Sequence, residues 1–169
     1  MSKFKVAVLI SGGGSNLQAI IDKFQSDETI ELSCVLSNKK DAHGLKRASK
    51  ANIDNFFVDH TNYPSREDFD RELIGTLEKY KPDLVVLAGF MRILSPLFVN
   101  KYLGKLINIH PSLLPKYKGL DTHKRVLENN EEYHGVTVHF VDNTLAVSYT
   151  HLRAHETGRN VVCRLLLEK

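Results

Sequence analysis

One stretch near the start limits what this chain can fold into: an apolar run, a triple glycine and an amphipathic segment behind it. Residues 5–10, Lys-Val-Ala-Val-Leu-Ile, show little alternation, the pattern of a strand buried on both faces. Ser11-Gly12-Gly13-Gly14-Ser15-Asn16 stops the run, and Leu17, Ile20, Ile21 and Phe24 follow at helical spacing. Ser15 and Gln18 form a capping-box pattern at that helix start. Glycines let a guest approach the backbone closely, and a helix N-terminus with unpaired N–H groups favours an anion. The loop is therefore a candidate phosphate grip, with a plain ligand-free turn as the alternative. It is neither of two familiar grips. Leu17 stands where a dinucleotide fingerprint starting at Gly12 needs its third glycine, and Gly14-Ser15-Asn16 replaces the Gly-Lys-Ser/Thr of a Walker A loop.

The same alternation of strand and helix continues. Residues 30–36 read as a second strand ending at Ser37-Asn38, residues 44–50 as a short helix and residues 55–58 as a short strand. Ser65-Arg66-Glu67-Asp68 opens a helix whose apolar stripe is Phe69, Leu73, Leu77 and Tyr80 and which stops before Pro82. Residues 84–88 read as another buried strand. Ser95-Pro96 then starts a helix over 97–102. This order predicts a doubly wound, mostly parallel α/β sheet.

Leu106-Ile107-Asn108-Ile109-His110-Pro111-Ser112 concentrates the chemistry. In a strand, Asn108 and His110 share one face while Ile107 and Ile109 face the packed side, and Pro111 ends the ladder. A hydrogen-bond donor and a titratable ring thus stand at a strand's C-terminal end, where open parallel sheets bind ligands. A buried strand whose Asn and His are satisfied by neighbours remains the alternative. Residues 112–119 form a loop in which the base rate favours a trans Leu114–Pro115 bond. A short helix over 122–128 follows. A half-buried strand over 135–140 comes next, with Val136, Val138 and Phe140 alternating against Thr137 and His139. His139, like His43, His60, His123 and His134, reads as an ordinary loop or strand-face residue.

With 169 residues the chain suits one cored domain, and a net charge of +3 with interspersed acids and bases is no nucleic-acid footprint. No apolar run approaches a bilayer span and no secretory signal precedes the first strand, so no membrane partner is expected. Two distant cysteines fit a reducing, cytoplasmic setting.

Residues 9–19 around Ser11-Gly12-Gly13-Gly14-Ser15-Asn16, residues 88–94 (Ala-Gly-Phe-Met-Arg-Ile-Leu) and residues 108–115 (Asn-Ile-His-Pro-Ser-Leu-Leu-Pro), taken together, resemble the phosphoribosylglycinamide formyltransferase family. That resemblance runs from about Lys5 to Leu145. It implies a Rossmann-like formyltransferase fold whose C-terminal strands and helix have no counterpart here. It also implies formyl transfer from 10-formyltetrahydrofolate to glycinamide ribonucleotide in purine synthesis, with no metal. Under the resemblance, Gly14, Ser15 and Asn16 hold the substrate phosphate. Arg66, Met91, Arg92, Ile93 and Leu94, with Asn108, contact the folate. Asn108 and His110 are the catalytic pair.

The family's third catalytic group is an aspartate in a His-Phe-Val-x-x-x-Leu-Asp-Gly-Gly-Pro pattern. Here His139-Phe140-Val141 and Leu145 match, but Ala146 holds the aspartate position and Val147-Ser148-Tyr149 replaces Gly-Gly-Pro. An aspartate there favours the charged imidazolium, so its loss lowers the histidine's pKa and the rate. Residues 147–157 and 163–169 resemble translated sequencing-library adapter, which implies an incomplete formyltransferase domain over 1–145 and a non-homologous, artefactual tail over 146–169. His151 and His155 lie four apart in that tail, but the His-Glu-x-x-His pattern lacks its second histidine. Two alternatives stay beside the transferase. One is a related formyltetrahydrofolate hydrolase or methionyl-tRNA formyltransferase, disfavoured by the glycine loop and the early start of the sheet. The other is a catalytically defective fragment or a nucleotide-phosphate binding module.

Overall fold

The computed structural model describes residues 2–117, 122–129, 134–143 and 152–154. The strands are β1 (Phe4–Ile10), β2 (Ile30–Ser37), β3 (Asn55–Phe57), β4 (Leu84–Leu87), β5 (Leu106–His110), β6 (Val136–Phe140) and β7 (Leu152–Ala154). The helices are α1 (Ser15–Phe24), α2 (His43–Lys50), α3 (Arg66–Tyr80), α4 (Pro96–Lys101) and α5 (Thr122–Glu128). The sheet runs β3-β2-β1-β4-β5-β6-β7. Strands β1 to β5 are parallel, and β6 and β7 are each antiparallel to the preceding strand.

Strand β1 is the centre, and its lack of alternation has the predicted cause. Val6, Val8 and Ile10 pack on one face with Leu17, Ile20, Ile21 and Phe24 of α1. Ala7 and Leu9 pack on the other with Phe69, Leu73 and Leu77 of α3 and Phe98 of α4. Helices thus cover both faces of a parallel sheet, the doubly wound arrangement the sequence predicts. Each of the buried Val, Leu, Ile and Phe side chains among them contributes about 1.5–3 kcal/mol through removal from water.

Local signals are honoured unevenly. Ser65 caps α3 by accepting the Asp68 N–H at 3.1 Å, as its sequence predicts. The capping box at α1 does not form. Gly14, in the left-handed region at φ 71°, takes the cap position, Ser15 lies inside the helix, and the side chain of Gln18 turns to Asp22 at 2.7 Å and Arg47 at 3.0 Å. Ser95 precedes Pro96 as expected but makes no side-chain cap. Its N–H instead donates to Asp70 Oδ2 at 2.6 Å. The half-buried strand is more deeply set than its alternation predicts, since Thr137 and Val138 are both buried between β5 and β7. The Leu114–Pro115 bond is cis, against the base rate. Strand β7 comes from the segment set apart as a tail, for which no strand is predicted.

Candidate functional site

Parallel strands deliver their loops to one edge, and the order of the sheet decides which loops meet. The chain leaves β1 for β2 on one side and returns to β4 on the other, so β1 and β4 flank the reversal of strand order. The glycine loop follows β1, the 88–94 segment follows β4, and Asn108 and His110 end β5. All three motifs therefore stand at the C-terminal edge beside the switch point, where open α/β sheets bind ligands.

The glycine loop is tied on both flanks. Gly12 accepts the Gly44 N–H at 3.1 Å, and Arg47 Nε donates to the Gly13 carbonyl at 2.9 Å. Gly14 lies so close to α2 that a Cβ on it would stand 2.6 Å from the Gly44 Cα. Ser15 is exposed and Asn16 half-buried in the first turn of α1, where backbone N–H groups lack intrahelical acceptors. Arg47 brings a cation to this helix start. No spacing in the sequence marks Arg47, because it sits on α2 and reaches the loop only through the contact across Gly14 and Gly44.

In the 88–94 segment, Met91 and Ile93 are exposed (62% and 63%) while Phe90 and Leu94 are buried. The Arg92 guanidinium lies over the Phe69 ring, 5.2 Å from its centroid. Arg66 is exposed at the first position of α3. One turn on, Asp70 is buried with Oδ1 unpartnered, as is Arg92 Nε. Burial pushes the Asp70 carboxyl above its ordinary range, against the Ser95 hydrogen bond and the charges of Arg66 and Arg92. Asp70 has no motif around it, and its position on the buried stripe of α3 is the one signal it leaves in the sequence.

On β5, Ile107 and Ile109 pack into the core below α1, whereas Asn108 and His110 are half-buried on the opposite face. That is the face of Leu106, which packs with Phe90, Leu94 and Phe98. The Asn–His pair thus shares a side of the sheet with the 88–94 segment. The antiparallel register sets His139 opposite Asn108 and Thr137 opposite His110. His139 Nδ1 faces the Phe140 carbonyl at 2.9 Å, which requires a proton there, so its Nε2 accepts the Asn108 amide N–H at 3.2 Å. His139 is therefore part of the site rather than an ordinary strand-face residue. The period-two match of His139 with Thr137 is the signal that finds it.

His110 Nε2 donates to the Tyr117 carbonyl at 3.1 Å. The loop holding that carbonyl is fixed from beneath: Ser112 Oγ donates to the Lys116 carbonyl at 2.8 Å, and Thr137 Oγ1 donates to the Ser112 carbonyl at 2.7 Å. Burial holds the His110 imidazole below its ordinary value, the Tyr117 carbonyl opposes this, and His139 adds to it. Position 146 and the tail histidines lie outside the described residues. Among the described residues no group of three or more His, Cys, Asp or Glu could hold a metal, and no helix is long and apolar enough to cross a membrane.

Comparison with known proteins agrees with this layout. The chain is 56% identical over 141 residues to phosphoribosylglycinamide formyltransferase of Escherichia coli (strain K12), a match covering 83% of this chain and 66% of that protein. It is 48% identical over 140 residues to the trifunctional purine biosynthetic protein adenosine-3 of Homo sapiens, covering 82% of this chain and 14% of the longer one. The chain thus spans just under two thirds of the bacterial relative and a small part of the trifunctional one. The solved phosphoribosylglycinamide formyltransferase of Coxiella burnetii superimposes with a TM-score of 0.81 at 46% identity, covering 96% of this chain and 80% of that one. The formyl transferase family model matches residues 4–147, and with the loop, segment and strand lying where that fold presents them, the chain belongs to the formyl transferase family.

Proposed function

We propose that this chain transfers a formyl group from 10-formyltetrahydrofolate to the amine of glycinamide ribonucleotide, a step of purine biosynthesis. The observation that carries this reading is the pairing of Asn108 and His110, half-buried on one face of β5, at the sheet edge that also bears the glycine loop and the 88–94 segment. Gly14, Ser15 and Asn16 hold the ribonucleotide phosphate with the N-terminal amides of α1, and Arg47 adds charge. Arg66, Met91, Arg92, Ile93, Leu94 and Asn108 hold the folate.

In the reaction the substrate amine attacks the formyl carbon and negative charge gathers on the formyl oxygen. Asn108 and charged His110 donate hydrogen bonds to that oxygen, the largest kind of contribution a site of this type makes. The new C–N bond forms as the bond to the folate nitrogen breaks, and His110 relays the proton lost by the amine to the departing nitrogen. Atoms and charge balance without a metal or a covalent enzyme intermediate. Because burial keeps His110 neutral more readily than an exposed histidine, and Ala146 supplies no carboxylate, turnover is slower than in a chain carrying the family aspartate.

Small-molecule partners, a cytoplasmic setting and no nucleic-acid or membrane partner belong to the same reading. So does the division into a formyltransferase domain over 1–145 and a non-homologous addition over 146–169. An uninterrupted native reading frame past the Leu145 codon overturns that division. The function is tested by assaying formyl transfer to glycinamide ribonucleotide beside calorimetric binding of each ligand, with Asn108→Ala as control. Turnover that Asn108→Ala reduces about 100-fold or more supports the transferase. Ala146 at the aspartate position favours one second reading, a phosphate-ligand binding module, which binding without turnover would support.

A further inference from the structure

Ser11, the last residue before the glycine loop, is buried at 4% exposure and ties three strand ends together. Its N–H donates to the Gly89 carbonyl at 3.1 Å. Its hydroxyl accepts the Met91 N–H at 2.8 Å and donates to Asn38 Oδ1 at 2.5 Å. A hydroxyl has one proton to give, and an amide N–H can only donate, so the directions are fixed: the proton goes to Asn38 and a lone pair receives Met91. Asn38 is equally buried just past β2, and its carbonyl faces His60 Nδ1 at 3.3 Å. On the far side of Ser11, Gly12 and Gly13 are held to α2 by Gly44 and Arg47. The loop therefore has little slack between its anchors. The 91–93 stretch, by contrast, leaves two large apolar side chains in solvent and has the Ser11 hydroxyl as a tether at its first amide.

We propose that the Ser11 hydroxyl is a positioning group that couples the two ends of the site, holding the glycine loop and the Met91 segment in one register so that occupancy of either strengthens binding at the other. The inference rests on the formyl-transfer reading for the identity of the two ligands. Its physical basis is independent of that reading: where the joint ties the arrangement of one loop to that of the other, a ligand that favours one arrangement of its loop changes the affinity at the second site, and the effect is reciprocal.

The test uses the full chain and its Ser11→Ala, Ser11→Thr and Asn38→Ala variants. Calorimetry measures the affinity for glycinamide ribonucleotide with and without 5,8-dideazafolate, a non-transferring folate analogue, and the reverse. Native chain is expected to bind each ligand more tightly when the other is present. Ser11→Ala is expected to lose about 2- to 10-fold of that enhancement, the equilibrium factor of one hydrogen bond. Ser11→Thr keeps the hydroxyl and retains the enhancement. Asn38→Ala removes the acceptor that orients the hydroxyl and lowers the enhancement, so a Ser11→Ala chain that fails to fold leaves a second route to the answer. In ligand-free chain the Met91 amide is expected to exchange faster in Ser11→Ala by a similar factor. Both ligands binding with the same mutual enhancement in native, Ser11→Ala and Asn38→Ala chains overturns the coupling alone. Neither ligand binding the native chain overturns the formyl-transfer reading and the coupling with it.

Discussion

Replacing Gly14 by alanine isolates the backbone contact on which the glycine loop is built. Two costs follow from the geometry. A non-glycine residue in the left-handed region, where Gly14 sits at φ 71°, costs about 1–2 kcal/mol. The added Cβ would stand 2.6 Å from the Gly44 Cα, so α1 and α2 must separate by roughly 0.8 Å to reach ordinary contact. Since the atom struck is backbone, no side-chain rotation relieves it, and overpacking of this kind costs about 1–3 kcal/mol. The expected loss is therefore about 2–5 kcal/mol. Gly13→Ala is the internal control, because a Cβ there meets nothing within 4 Å and its φ is not in the left-handed region. Its effect should stay within about 0.5 kcal/mol. Urea unfolding followed by circular dichroism gives both values, and calorimetry with glycinamide ribonucleotide shows whether separating the helices weakens the proposed phosphate binding. Equal, small losses for Gly13→Ala and Gly14→Ala would refute the claim that the loop is shaped by its contact with α2.

Two further predictions follow from named groups. His110 is held below its ordinary value of 6.5, so the unfolded chain takes up the proton first on acidification. The stability tied to its neutral form is complete above that pH and lost as pH falls through the folded value. His110→Gln should flatten the fall of the urea midpoint between about pH 7.5 and pH 5, and an unchanged slope contradicts the assignment. Phe69 is fully buried beneath the Arg92 guanidinium and edge-on to His60 and Tyr63. Phe69→Ala should cost about 3–5 kcal/mol by urea unfolding. Phe69→Leu should recover most of that stability yet still weaken 5,8-dideazafolate binding, because the aromatic platform for Arg92 is gone. Native folate affinity in Phe69→Leu argues against a role for the stack.

The fold was legible because its signals are local. Uninterrupted apolar runs at residues 5–10 and 84–88 mark strands covered on both faces, and glycine, proline and capping residues mark where they stop. The Asn108–His110 face could be read from strand periodicity alone. What escaped depends on contacts between distant segments. The α1 cap went to Gly14 rather than Ser15 because α2 lies against the loop, a proximity no residue spacing encodes. Arg47 and Asp70 enter the site region through helix packing, and His139 through the antiparallel register of β6. The cis Leu114–Pro115 bond sits in a loop anchored to Thr137, more than twenty residues later in the sequence. Base rates for isolated dipeptides carry nothing of that anchor.

The order of strands also bears on how the chain is made. Both neighbours of β1, and the β3 edge beyond, come from residues that precede Pro96. Four strands and the first three helices can thus gather while the rest is still being synthesised. Strand β5 then arrives at a finished edge, with β4 as its template. Asn108 and His110 are the last of the three motifs to be delivered. During synthesis the glycine loop and the Met91 segment can exist as a formed cleft before the residues proposed to do the chemistry have left the ribosome.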